Sequence, residues 1–338
     1  MEAKRCERTQ VYPCRPPVSS PEPGTTRETL IRDRTATATV ASGSPAAAAR
    51  WGRGRSAALA CRLEATAAKV GNVHPAAPFP DLSHAELVAA GEAIAAPLDH
   101  AATRPLGRTI LDAVAASRRV TRSNANLGIV LTIAPLAAVP DSNPLSPAAA
   151  AAVLAATTPD DARDVYAAIA LANPGGMGRR DAWDIAGPAP PSLLEAMHAA
   201  ADHDQIARLW ARGYEPLFAG PVADIAGELE RGLSLGAAIE RGHLMQLARE
   251  PDTLIARKHG AAAAAAAAAR AAAVLAAGAD WPAAAADLDR FLRARRMNPG
   301  TTADLVAAAL YILLVTGRLD GLVGDAPTID STLRHDRP

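Results

Sequence analysis

The sequence predicts an all-α fold, a single multi-helix globular domain behind a disordered N-terminal extension. Three observations predict it. From Ser56 onward apolar residues recur at three-and-four spacing, the period of a helix with one buried face. Clean alternation and β-branched clusters, the marks of strands, are almost absent. Hydrophobic residues make up 49% of the chain but aromatic ones only 3%. The core must therefore be built from Ala, Leu, Val and Ile, in a chain of 338 residues that can bury a sizeable one.

Residues 1–55 are rich in Pro, Arg, Ser, Thr and Ala without periodicity, and cannot bury enough surface to offset the entropy of ordering. They read as a disordered extension with too many acids for a transit peptide. The catalytic domain is expected over 56–320, and 321–338 as a flexible tail. A first helix from Ser56 carries Leu59, Leu63 and Ala67 inward with Glu64 beside them, and Gly71 is expected to end it. Ser83 and Glu86 form a capping box for a helix to about His100. A helix from Pro105 to Arg122 buries Leu106, Ile110, Leu111 and Val114. Leu127–Val139 is apolar on nearly every side and marks a central helix. Ser146-Pro147 and Thr158-Pro159 each place a cap before proline. After a loop from Asn173 to Pro191, with four glycines and four prolines, helices follow over 192–212, 220–232, 234–249, 261–277, 282–295 and 301–316. In the alanine tract Arg270 and Val274 continue one face.

Net charge is zero, so no global field favours nucleic acid or a membrane surface. No apolar run is long enough to span a bilayer. Three cysteines without metal-type spacing fit a reducing cytoplasm. Of 35 basic residues only Lys4, Lys69 and Lys258 are lysines. A lysine that persists against arginine points to a need for an ammonium.

Five segments are rich in chemistry. Glu64 to His74 crowds Glu64, Lys69, Asn72 and His74 around one helix end, with Asp81 following. Arg122 to Gly128 sets Asn124 and Asn126 at a helix N-terminus, where free N–H groups bind anions, although either can serve as a plain cap. Asn173 to Asp181 is a glycine loop followed by Arg179 and Arg180, a pattern for cradling phosphate that a solvated loop also shows. Asp181 and Asp184 there could hold a hydrated Mg²⁺. Asp252 to Gly260 is a charge cluster between two helices, preceded by His243. Asn298 to Leu305 carries Thr301 and Asp304, which capping alone would also explain.

Taken in order, Glu64 to His74 with Asp81, Asn124 to Gly128, Asp252 to Gly260 and Asn298 to Leu305 resemble the motifs of the triphosphoribosyl-dephospho-coenzyme A synthases over about residues 56 to 317. The resemblance implies an all-helical enzyme joining ATP to 3′-dephospho-coenzyme A with loss of adenine. It implies Glu64 and Asp81 as catalytic carboxylates. Lys69, Asn72, His74, Asn124, Asn126, Arg257, Lys258 and Thr301 would bind substrate, and Asp252 and Asp304 would coordinate Mg²⁺. The implied partners are ATP and a nucleotide-type acceptor, with no nucleic acid and no membrane, and oligomerisation is left open. The chain departs from the pattern at Asn124-Ala-Asn126-Leu-Gly128, where lyase-associated members read Asn-Thr-His-Lys-Gly. The Asn-Leu-Gly form is similar to a branch in archaea and C1-metabolising bacteria, which opens a methanopterin-type acceptor. A nucleotide N-glycosidic hydrolase or a non-enzymatic helical scaffold would carry similar residues.

Overall fold

The computed structural model describes residues 50–176, 178 and 183–324. Among these no strand forms, and the only extended pairings are isolated bridges at His74–Ala77 and Phe79–Leu82. Helices α1 (Arg53–Thr66), α2 (His84–Ala93), α3 (Ala95–Asp99), α4 (Leu106–Val120) and α5 (Leu127–Ala137) build the first half. Helices α6 (Pro147–Ala155), α7 (Pro159–Ala172), α8 (Leu193–Ala200) and α9 (Gln205–Ala211) follow. Short α10 (Glu215–Leu217), α11 (Ala223–Glu230), α12 (Leu235–Arg249), α13 (Thr253–His259), α14 (Ala261–Ala276), α15 (Trp281–Ala294) and α16 (Gly300–Val315) complete it.

The local signals place these elements well. Ser83 and Thr158 each close a reciprocal capping box, and Ser146 caps the helix whose first residue is Pro147. The first helix starts at Arg53, ahead of the expected Ser56. The helix expected to His100 divides at Ile94 into α2 and α3, and that over 192–212 divides where Asp204 caps α9.

At the centre lie α5 and α16, buried on almost every side. Pro135 inside α5 has no N–H to offer the Leu131 carbonyl four residues back. Trp210 Nε1 donates to that same carbonyl at 3.0 Å, and the Tyr214 hydroxyl donates to Leu131 at 3.3 Å and Thr132 at 2.8 Å. Both aromatic side chains are fully buried. Two of the few large side chains in this alanine-rich core thus repair the break that proline makes in its central helix.

A second, smaller core joins α12, α14 and α15 through Leu244, Leu247, Ala264, Ala267, Ala271 and Leu292. The alanine tract of α14 buries Ala264, Ala267, Ala268, Ala271 and Val274, a helical stripe. Arg270 does not continue it. Its guanidinium lies outside, 3.9 Å from the Phe291 ring.

Candidate active site

Helix α1 stops at Thr66, five residues before Gly71, because Lys69 folds back on it. The Lys69 ammonium hydrogen-bonds to the Glu64 carbonyl, reaches the Ala67 carbonyl at 3.4 Å, and lies 2.9 Å from Glu64 Oε1. All three ammonium hydrogens therefore have acceptors within the protein, and both side chains are buried. Sequence reading gave Lys69 to phosphate; here its ammonium is engaged by the end of α1 and by Glu64. Lys69 caps the end of α1 and fixes the Glu64 carboxylate, with no donor left for a ligand.

Gly71 does adopt positive φ, at 71°, inside the turn that follows. There Asn72 Nδ2 donates to Asn298 Oδ1 at 2.6 Å and to the Pro299 carbonyl at 3.4 Å, which joins this turn to the start of α16. His74 is half-buried, and its basicity is lowered first by burial and then by Arg293. Asp81 is exposed. Its carbonyl accepts from Ser123 Oγ at 2.5 Å, which sets it beside the Asn124–Gly128 segment.

In that segment Asn124 Oδ1 accepts from Leu127 N at 3.2 Å and so caps α5, while exposed to solvent. Asn126 is buried and donates to the Ala90 carbonyl at 3.0 Å, tying α5 to α2. Next comes Gly128. A Cβ on Gly128 would stand 2.0 Å from Asp304 Oδ2 and 2.9 Å from Ile206 Cδ1. Only glycine lets the Asp304 carboxylate approach the first turn of α5, where the helix dipole favours an anion.

Asp304 is the hub of the site. Its carboxylate has no hydrogen-bonding partner among the described residues. Burial pushes its affinity for a proton well above the carboxylate norm, Glu64 and Asp252 add to this, and Arg257 opposes it. Gly128 packs directly against it, and the charges of Glu64, Asp252, Arg257 and Asp204 all act on it.

Asp252 stands differently from the expectation. Oδ1 accepts from Ile255 N at 2.9 Å and caps α13, while Oδ2 accepts from Thr302 N and Thr302 Oγ1, each at 2.8 Å. Its lone pairs are turned inward, and the residue is 0% exposed. Asp252 is a tie between α13 and α16, both of its oxygens engaged within the protein where sequence reading gave it to Mg²⁺. Thr301 likewise does not cap α16, which begins at Gly300. It is buried, and its hydroxyl accepts from Thr253 Oγ1 at 3.2 Å. Thr253 N in turn donates to Gln205 Oε1 at 3.2 Å.

The first turns of α5, α9, α13 and α16 consequently meet around Asp304. Arg257, on α13, is paired with Asp204 at 2.8 Å. Lys258 is exposed beside it. Gly175 and Gly176 lie against this pair. A Cβ on Gly176 would lie 3.4 Å from Arg257 Cβ, and one on Gly175 would lie 3.6 Å from Lys258 Cε. Arg179, Arg180 and Asp181 of that loop lie outside the described residues. Asp184 Oδ1 accepts from Ala186 N at 2.8 Å.

Two residues were missed in the sequence. Asp289 Oδ1 accepts from Gly71 N at 2.7 Å, and Arg293 donates to the Asn72 and Ala77 carbonyls, so α15 holds the Gly71–Ala77 turn. Their spacing of four is the only local signal, and on a helix it reads as a surface ion pair.

Among the described residues no three His, Cys, Asp or Glu side chains stand close enough together to hold a metal ion. No helix among them is long and apolar enough to cross a membrane.

Carboxylates at converging helix starts, with Gly175 and Gly176 against an Arg–Lys pair, are the arrangement of an enzyme's active site rather than of a structural bundle. The model of the CitG family, ATP:dephospho-CoA triphosphoribosyl transferase, matches residues 50–321, and the chain belongs to that family. It is a transferase of the triphosphoribosyl-dephospho-CoA synthase type. A crystal structure from Archaeoglobus fulgidus, named as a candidate triphosphoribosyl-dephospho-coA synthase, is similar at 25% identity with a TM-score of 0.54. The match covers 69% of this chain and 98% of that one. No curated protein matches the chain.

Proposed function

We propose that the enzyme transfers the triphosphoribosyl group of ATP to a hydroxyl of 3′-dephospho-coenzyme A and releases adenine. The observation that carries this reading is the seat of Asp304 against Gly128, among four helix starts and within the field of Glu64. The acceptor oxygen attacks C1 of the ribose, the bond from C1 to the adenine nitrogen breaks, and adenine leaves with that electron pair. Positive charge grows on the sugar as the bond breaks, and nearby carboxylates stabilise it, as in glycoside hydrolysis.

Glu64 takes the sugar-facing role, because Lys69 holds its carboxylate in one place. Asp81, exposed at the outer edge of the Asn124–Gly128 segment, takes the proton lost by the acceptor hydroxyl. Asn72, His74 and Asn124 orient the two substrates, while Asn126 and Thr301 hold the helices that frame them. Arg257, Lys258 and the backbone of the glycine loop receive the triphosphate.

Mg²⁺ generally takes one or two protein carboxylates and completes its shell with phosphate oxygens and water. The open carboxylate of Asp304 fits that need, and the saturated one of Asp252 does not. An ion arriving with ATP would be held by Asp304 and would offset phosphate charge.

The Asn126-Leu-Gly128 departure supports a second reading in which another cofactor precursor is the acceptor. Incubating the protein with ATP, Mg²⁺ and a panel of acceptors, with mass detection of adenine and product, tests both. Adenine release that requires dephospho-coenzyme A supports the first reading, and release that requires a different acceptor supports the second. Release with no acceptor at all would instead identify a hydrolase.

A further inference from the structure

Helix α15 reaches into the Lys69–Asp81 segment with two side chains one turn apart. Asp289 and Arg293 are bound to each other, Nε standing 2.9 Å from both carboxylate oxygens. Asp289 Oδ1 also takes the Gly71 N–H at 2.7 Å. Arg293 Nη2 donates to the Asn72 carbonyl, Nη1 donates to the Ala77 carbonyl at 3.3 Å, and the guanidinium stands 5.4 Å from the Phe79 ring. The turn has little room to move. A Cβ on Gly71 would meet Leu292 Cδ1 and Pro299 Cδ, each at 2.9 Å.

We infer that Asp289 and Arg293 are positioning residues for substrate binding, a clamp through which α15 sets where Asn72 and His74 are presented. The inference rests on the reading of this turn as part of the nucleotide site. Ordinary surface pairs at this spacing stabilise a helix by little and touch nothing else. This one satisfies backbone groups of a turn 218 residues away in the chain. The turn pairs some of its own groups, Asn72 N with the Lys69 carbonyl and His74 with Ala77, but the Gly71 N–H and the Asn72 carbonyl are met by α15, so α15 helps to set its shape.

The clamp also has an electrical consequence. The charged groups acting on His74 are Arg293, Lys69 and His84, which disfavour its protonation, and Asp289, which favours it. The two members of the clamp therefore act on the imidazole with opposite sign. A simple loss of packing would not produce opposed shifts.

The test uses the full chain with Arg293→Ala, Arg293→Lys, Asp289→Ala and Asp289→Asn. The titration of the His74 ring, followed by NMR without any substrate, is expected to move up in Arg293→Ala and down in Asp289→Ala. Exchange of the Gly71 amide should speed at least tenfold in Asp289→Ala and be partly rescued in Asp289→Asn, which keeps an acceptor. With substrates, KM for ATP should rise about tenfold with kcat within about twofold in the alanine variants, and Arg293→Lys should fall between them and the unaltered protein. Shifts of His74 in the same direction, or unchanged Gly71 exchange, would overturn the clamp. An unaltered KM would overturn its role in binding. If an alanine variant does not fold, Arg293→Gln and Asp289→Asn, which remove each charge at similar size, carry the same comparison. An unaltered protein that does not turn over ATP, with the NMR shifts as expected, would fail the proposed reaction and leave the clamp standing.

Discussion

Lys69 and Glu64 face each other at 2.9 Å inside the protein, with the lysine side chain wholly withdrawn from water. Removing one partner of such a pair leaves a buried charge without compensation, at a cost of about 3–5 kcal/mol, whereas removing both together costs much less. Lys69→Met is therefore expected to lower the denaturant midpoint severely. Glu64→Gln with Lys69→Met should recover most of that stability and remain inactive. Equal destabilisation by the single and double variants, in urea unfolding, would show that the pair is not coupled.

Gly128→Ala should behave against the usual rule for helices. Alanine is ordinarily favoured over glycine in a helix interior by about 1 kcal/mol. Here its Cβ would stand 2.0 Å from Asp304 Oδ2 and must displace that carboxylate. Adenine release is expected to fall at least ~100-fold while helix content by circular dichroism is kept. Activity within about threefold of the unaltered enzyme would remove Asp304 from its proposed place.

Asp252→Ala should destabilise the protein whether or not Mg²⁺ is present. It removes the cap of α13 and leaves Thr302 N and Oγ1 buried without an acceptor. Each unmet buried group costs about 1–3 kcal/mol. Thermal unfolding in EDTA and in Mg²⁺ should show the same drop. A drop seen only with Mg²⁺ would return Asp252 to the metal.

Stability should also depend on pH through His243, a fully buried imidazole beside the Pro299 backbone. Burial, with help from Lys69, lowers its pKa from 6.5 to about 3. Between those values the unfolded chain binds the proton and the folded one does not. Its contribution is thus complete above pH 6.5 and is lost as pH falls toward about 3, by up to ~1.4 kcal/mol per unit. Unfolding free energies of the unaltered protein and His243→Asn at pH 7, 6 and 5 check this. The variant should show the shallower slope, and equal slopes would contradict it.

Lys258→Ala should weaken triphosphate binding by about 1–3 kcal/mol, the worth of a charge-assisted contact. An effect no larger than that of a surface Arg→Ala control, by calorimetry, would take Lys258 out of the site.

The helical architecture could be read from the chain because most of its signals are local. Caps at Ser83, Ser146 and Thr158 act within one turn, and the apolar face of Leu127–Ala137 is its own evidence for burial. The end of α1 could not be read so. Gly71 is a good terminator by local rules, but the helix stops at Thr66 and Lys69 returns to its carbonyls from beyond that end. Residues 252–259 looked like charged loop because their helix is capped by an aspartate that also serves α16, 50 residues away in the chain. The same distance explains why Asp252 resembled a metal ligand: in a sequence, a carboxylate that binds backbone N–H groups and one that awaits a cation look alike. The positions of the motifs were legible, and the roles of Lys69, Asp252 and Thr301 depended on contacts that only the fold supplies.

The most direct test of the site is adenine release from ATP in the presence of dephospho-coenzyme A and Mg²⁺, compared between the unaltered enzyme and Asp304→Asn. The former should release adenine only with the acceptor present, and Asp304→Asn at least ~100-fold more slowly with an unchanged unfolding midpoint. Asp304→Asn releasing adenine at the unaltered rate would contradict it.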